Sequence, residues 1–130
     1  MPLAADMARI VAAARTRLAQ APRDVLSAVT ADLVQHTPVD RGFLRAGWDA
    51  AEVATLPNAP DPTGADTIAR LGAAAQALPF GGVFTVTNRV NYAPYLEFGT
   101  VRIAPRAYLR GTLARAPTVA TEVLARGARP

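Results

Sequence analysis

The stretch M7-A-R-I-V-A-A-A-R-T-R-L-A-Q-A-P-R-D-V-L-S-A-V-T-A-D-L33 decides the fold. Along it Met7, Ile10, Val11, Ala14, Leu18, Ala21, Val25, Val29 and Leu33 recur at steps of three or four. That spacing puts side chains on one face of an α-helix. Pro22 interrupts the series, because it has no N–H for the helical ladder and its ring crowds the preceding turn. One long kinked helix satisfies the pattern, and so do two helices with Pro22 in the first turn of the second. The apolar phase is unbroken across Pro22, so a shared buried face is expected in both cases. Pro38 disfavours the helical conformation at Thr37 and sets the helix end near His36.

Beyond this helix, TPVDRG (37–42) reads as a loop and FLRAGW (43–48) as the entry to a sheet, with residues 49–56 as a further strand. Trp48 is the largest core candidate, and its indole N–H requires a partner. PNAPDPTG (57–64) reads as an exposed loop. Thr63 and Asp66 then have capping-box spacing before a short helix, Ala65 to Ala77, with Ile68, Leu71 and Ala75 inward. VFTVT (83–87) carries the strongest strand signal. Tyr92 to Phe98 reads as a second strand or a single helical turn, and Gly99 tolerates a positive φ. The final helix is expected from Ala104 to Gly127, with Pro105 in its first turn and a kink or restart at Pro117. The expected architecture is a single α+β domain over residues 1–130. A small, mostly antiparallel sheet packs against the N-terminal and C-terminal helices, with a loop–helix insertion at about 57–80.

Apolar residues make up 51% of the 130, enough for one core and incompatible with general disorder. There is no cysteine, which removes disulfides, thiolate metal sites and a thiol nucleophile together. A single histidine, His36, excludes a multi-histidine metal cluster. No apolar run nears the ~20 residues of a membrane span. Residues 1–10 lack the basic start and apolar block of a signal peptide, so synthesis in the cytoplasm is expected. All 14 basic residues are arginine, a bias that fits a GC-rich bacterial genome. Net charge is +1 over residues 1–35, −2 over 36–99 and +5 over 100–130. The basic end reads either as a solvated helix or as a surface for an acidic partner or nucleic acid.

No catalytic constellation emerges. Ser27, the only serine, lies nine residues before His36 in the expected helix. Asp40 and Asp49 are available as a carboxylate pair, but nothing in their spacing requires one. Gly81-Gly82 lacks the lysine and hydroxyl of a phosphate-binding loop. An enzyme is therefore not expected, nor a metal or cofactor. Arg102, Arg106 and Arg110 are spaced by four and form a basic stripe if helical throughout. Without a helix-turn-helix context they suit phosphate contact and not base readout. Glu97 sits in an apolar stretch. If buried it needs a partner, for which Arg45 and Arg106 are the candidates.

Three elements stand out in order: T37-P-V-D-R-G-F-L-R-A-G-W48, N88-R-V-N-Y-A-P-Y-L-E-F-G-T100 and A104-P-R-A-Y-L-R110. Together they resemble the phage tail-component and head–tail joining family, which includes tail-terminator-like neck proteins. That family carries Pro-Val-Asp-Thr-Gly-x-Leu-Arg, then Asn-x-x-x-Tyr-Ala-x-x-Leu-Glu-x-Gly, then Ala-Pro-x-x-Phe-Leu-Arg. The resemblance spans residues 25–115, and Asp61 to Gln76 reads as a longer insertion. Arg41 stands where the family usually has threonine. Tyr108 replaces phenylalanine, a change expected to matter little.

The resemblance implies a virion protein of a siphophage-like particle, whether infectious phage, prophage or gene transfer agent, assembled in the bacterial cytoplasm. It implies a homo-oligomeric ring, a hexamer, at the head–tail junction. Its partners would be the tail tube protein, a head-side connector or stopper, and double-stranded DNA passing through the lumen without sequence-specific contact; no membrane is involved. Pro38, Asp40, Gly42, Tyr92, Tyr95, Glu97, Gly99, Arg102, Arg106 and Arg110 are the interface or fold-shaping candidates. Closed rings use heterologous contacts, for which the acidic middle and basic C-terminal third are the two candidate patches. A stopper, a minor tail protein and a non-specific DNA-binding accessory protein are the alternatives.

Overall fold

The computed structural model describes residues 3–39, 41–51 and 57–127. Its elements are α1 (Leu3–His36), α2 (Phe43–Ala46), β1 (Trp48–Asp49), α3 (Ala65–Gln76), β2 (Thr87–Asn88), α4 (Ala93–Phe98) and α5 (Tyr108–Gly127). The fold is α+β. The sheet is a single antiparallel pair in which Trp48 faces Asn88 and Asp49 faces Thr87.

α1 runs through Pro22 as one helix of 34 residues, about 51 Å long at 1.5 Å per residue. α5 likewise runs through Pro117 without a restart. Both prolines are exposed, a setting in which the ring meets solvent and not a packed neighbour. α1 ends as Pro38 dictates, with the Thr37 N–H donating to Leu33 O at 3.0 Å.

α3 and α5 both pack on the C-terminal half of α1 and run antiparallel to it. Gln76, at the end of α3, donates to Asp24 and Ser27 at 3.1 Å. Arg115 grips the Asp32 carboxylate at 2.9 Å, and the last turns of α5 border Arg17, Gln20 and Ala21. The expectation of a buried face along the whole apolar series therefore fails for its first half. Thr30, Leu33 and Val34 are buried, but Leu3, Met7, Ile10, Val11 and Leu18 are 47–72% exposed. α3 and α5, roughly 18 Å and 30 Å long, are too short to cover α1.

The core joins Leu33 and Val34 of α1, Leu44, Trp48, Leu71, Val90, Ala93 and Tyr108. Complete burial of Leu71 and Val34 contributes roughly 1.5–3 kcal/mol each. Trp48 and Tyr108 meet edge to face, with centroids 6.2 Å apart. The Trp48 indole N–H donates to Thr37 Oγ1 at 2.9 Å, and the Thr37 hydroxyl donates to Leu33 O at 2.7 Å.

Strand signals were overridden. Phe43–Ala46 forms a helical turn instead of entering the sheet, and β1 ends at Asp49 with bends at Ala50 and Ala51; residues 52–56 lie outside the described residues. Among the described residues only Thr87 of the 83–87 stretch pairs, and Val83 is exposed. Tyr92–Phe98 takes the helical alternative.

The expected capping box at α3 is also replaced. Thr63 Oγ1 receives only the Ala65 N–H at 3.3 Å, while Asp61 caps the helix by accepting the Thr67 N–H at 2.8 Å. Burial by itself would raise the Asp61 pKa, but hydrogen bonds from Thr67 and Gly64, with Arg45 nearby, hold it below the ordinary value. A depressed folded pKa stabilises the fold above the unfolded pKa, and that contribution disappears as pH falls through the folded value. Asp61→Asn is expected to cost about 1 kcal/mol near neutrality and to lessen the loss of stability below pH ~4. Urea titrations between pH 7 and 3 measure both effects; an unchanged acid slope would refute the capping role.

Candidate functional site

The three sequence elements, far apart in the chain, fold into one hydrogen-bonded unit. In the first, α1 stops at Thr37 and half-buried Pro38, and the chain turns at Gly42. Gly42 has φ +97°, and a Cβ there would fall 2.6 Å from Pro62 N, so only glycine fits. Its carbonyl accepts the N–H groups of Ala46 and Asp61 at 3.1 and 3.0 Å. Asp40 lies outside the described residues.

Arg45 is not the partner of Glu97. Its guanidinium binds three backbone carbonyls, Thr37, Gln35 and Pro62, each at 2.9 Å. It thereby covers the C-terminal carbonyls of α1, where a cation is favoured. The second element joins the first through Asn88, whose amide donates to Leu44 O at 2.8 Å.

Glu97 joins the second element to the third. It is 4% exposed. Its carboxylate accepts the N–H groups of Arg110 at 2.8 Å and Leu109 at 3.2 Å, in the first turn of α5. The Arg110 guanidinium lies 3.4 Å from the same carboxylate, donates to Glu97 O at 2.6 Å and covers the Phe98 ring at 4.8 Å. Arg110 therefore takes the place expected for Arg45 or Arg106. A carboxylate at a helix N-terminus meets both unsatisfied N–H groups and the positive end of the dipole.

α5 begins four residues after the expected Ala104. The Arg106 and Ala107 N–H groups bond back to Leu96 O and Glu97 O at 2.8 and 3.2 Å, and Ala107 takes φ +45°. Arg102 and Arg106 therefore lie in an exposed loop, and the expected helical stripe with Arg110 does not form. Gly99, at φ +79°, leads into this loop, where a Cβ would meet Ile103 O at 2.7 Å.

Tyr108 was expected to be interchangeable with phenylalanine, yet its buried hydroxyl donates to Ala93 O at 2.8 Å. Burial first, then the nearby Glu97 and Tyr92, push its pKa up to about 12. The favoured neutral form stabilises the fold below pH ~10, and this contribution is lost as pH rises toward the folded pKa. Tyr108→Phe is expected to cost about 1–2 kcal/mol by orphaning the Ala93 carbonyl. A thermal midpoint within 1 °C of the parent's would refute that role.

The remaining polar groups serve the fold. The His36 ring donates to Asp32 O at 2.8 Å, and Ser27, roughly 13 Å away along the helix, accepts from Gln76. A cleft of about 330 Å³ beside Trp48 contains Asp49, Asp61, Asp66 and Arg70. Asp61 caps α3, and Asp49 lies 3.5 Å from Arg70. Among the described residues no cluster of metal-ligating side chains forms, and no helix is long and apolar enough to cross a membrane.

No protein-family model, curated protein or solved structure matches this chain.

Several large apolar side chains of the second element and the following loop are exposed. Tyr92, Tyr95, Phe98, Val101 and Ile103 are all exposed, next to Arg102 and Arg106. Two of the six arginines in 100–130 pair with acids of the chain, Arg110 with Glu97 and Arg115 with Asp32. Sequence reasoning found Glu97 and its need for a partner. It missed Thr37, Arg45, Asp61 and Tyr108 as organising groups; the positions of Thr37 and Arg45 beside the stop at Pro38 were the available signal.

Proposed function

We propose that the chain is a structural subunit of the head–tail junction of a tailed-phage-like particle, without catalysis of its own. In this reading it forms a ring that ends the tail tube and receives the head-side connector. The observation that carries the reading is the junction of the three resembling elements. Glu97, Tyr108 and Asn88 tie them into one hydrogen-bonded unit that leaves Tyr92, Tyr95, Phe98, Val101 and Ile103 exposed. Aromatic groups on a fixed scaffold suit a protein–protein contact, because little side-chain freedom remains to be lost on binding. The exposed arginines of the 99–106 loop suit weak, non-specific contact with DNA in transit.

The test is assembly. The purified chain, mixed with its tail tube protein, is expected to form rings and to cap tubes at one length, as seen by mass measurement and electron microscopy. Arg106→Glu is expected to impair the rings while leaving the fold intact, since only the backbone of Arg106 is bonded among the described residues. Uncapped tubes and no ring would defeat the reading, and cryo-microscopy of particles would distinguish a terminator from a stopper or minor tail protein. The exposed Arg102 and Arg106 favour a second reading, a non-specific DNA-binding accessory protein. DNA binding that weakens steeply with salt, in the absence of rings, would select it.

A further inference from the structure

Residues 3–16 of α1 extend past the other elements among the described residues, since α3 and α5 both end near residues 17–24. A helical overhang of under ~15 residues is marginal in water on its own. It also carries the stripe Leu3, Met7, Ile10, Val11, Ala14 and Leu18, all exposed. We propose that this stripe pairs with the same stripe of a second copy, the two helices antiparallel about a two-fold axis between Ile10 and Val11. The pairing does not rest on the ring reading, because ring contacts are heterologous and this one is isologous.

Two observations select a second copy as the occupant. The first is symmetry. Leu3 and Leu18, Met7 and Ala14, and Ile10 and Val11 lie at equal distances on either side of one midpoint. Antiparallel pairing sets Leu3 against Leu18, Met7 against Ala14, and Ile10 against Val11, with the central residues close to the axis. The second is charge. Asp6 and Arg17 are eleven residues apart, close to three full turns, so they share one flank of the stripe. Antiparallel pairing brings each Asp6 beside the Arg17 of the second copy, twice per dimer. Parallel pairing would put the two Asp6–Arg17 flanks on opposite edges of the interface and make no such contact. The Asp6–Arg9 pair within one copy is exposed and weak enough to yield.

The chain has no cysteine, so single cysteines report the geometry directly. With helices packed 8–10 Å apart, residues beside the two-fold axis come within disulfide reach. Two Leu3 positions would be roughly 22 Å apart. Under mild oxidation of the full-length chain, Val11→Cys is expected to link to itself. Leu3→Cys and Leu18→Cys are expected to link only when mixed. By sedimentation, Asp6→Arg is expected to weaken the dimer roughly tenfold, and Asp6→Arg/Arg17→Asp to restore it, with far-UV dichroism confirming that each variant is folded. A monomer at all concentrations, Leu3→Cys linking to itself as fast as Val11→Cys, or a charge swap without rescue would each overturn the pairing. Rings that form without the Val11 link would leave the ring reading standing and remove this one.

Discussion

Glu97→Ala is expected to destabilise the protein by about 3 kcal/mol, with a fall in Tm of roughly 10 °C. The carboxylate is buried and accepts two N–H groups at the start of α5, at 2.8 and 3.2 Å. Bonds to an ionised acceptor are about twice as strong as neutral ones. Alanine would also remove the charge that complements the helix dipole and holds Arg110 in place. Glu97→Gln keeps the shape and loses the charge, so about half the effect is expected. Arg110→Ala should cost only about 1 kcal/mol, because that guanidinium is half exposed and its charge is screened. Chemical denaturation of the three variants checks the order. A Glu97→Ala loss below 0.5 kcal/mol would show that α5 starts without this cap. The same result bears on the proposed outer face, since Glu97 fixes Phe98 and the 99–106 loop relative to α5.

Trp48→Ala is expected to cost about 4 kcal/mol, the middle of the range for a buried aromatic truncation. Trp48 is 4% exposed and touches both the end of α1 and the start of α5. Its removal opens a cavity at the point where the first and third elements meet. Trp48→Phe should cost about 1–2 kcal/mol, since Thr37 keeps its bond to Leu33 O and loses only the indole donor. Thr37→Val is expected to cost a similar amount, by leaving a buried indole N–H unsatisfied. Combined in a double-mutant cycle, Thr37→Val and Trp48→Phe should show clear coupling. Trp48 is the only tryptophan, so its fluorescence follows unfolding of the parent and of Thr37→Val, and circular dichroism follows the others. Additive effects would mean that the pair stabilises nothing beyond its separate members.

Much of the scaffold was legible in the chain. The three-and-four spacing of Met7 to Leu33 produced α1, Pro38 ended it, and Leu71 and Ala75 marked the inner face of α3. Glu97 could be singled out because a carboxylate among apolar residues needs a partner if it is buried. The partner itself was not legible. Arg45, Arg106 and Arg110 are equal in chemistry, and the choice follows from where α5 begins. That start is set in turn by the Arg106 and Ala107 N–H groups bonding to α4. The Asp61 cap was missed for the same reason. Its oxygen reaches six residues along the chain, outside the usual local cap spacing.

Local pattern alone determined which segments become helices, where α1 stops, and which large side chains seek the core, because periodicity and proline chemistry act within a few residues. Only tertiary structure decided which half of the α1 stripe is covered, which arginine meets Glu97, and that Thr87 alone of VFTVT pairs among the described residues. Burial and ladder pairing depend on the length and placement of distant neighbours. α3 and α5 end too soon to reach Leu3 through Val11.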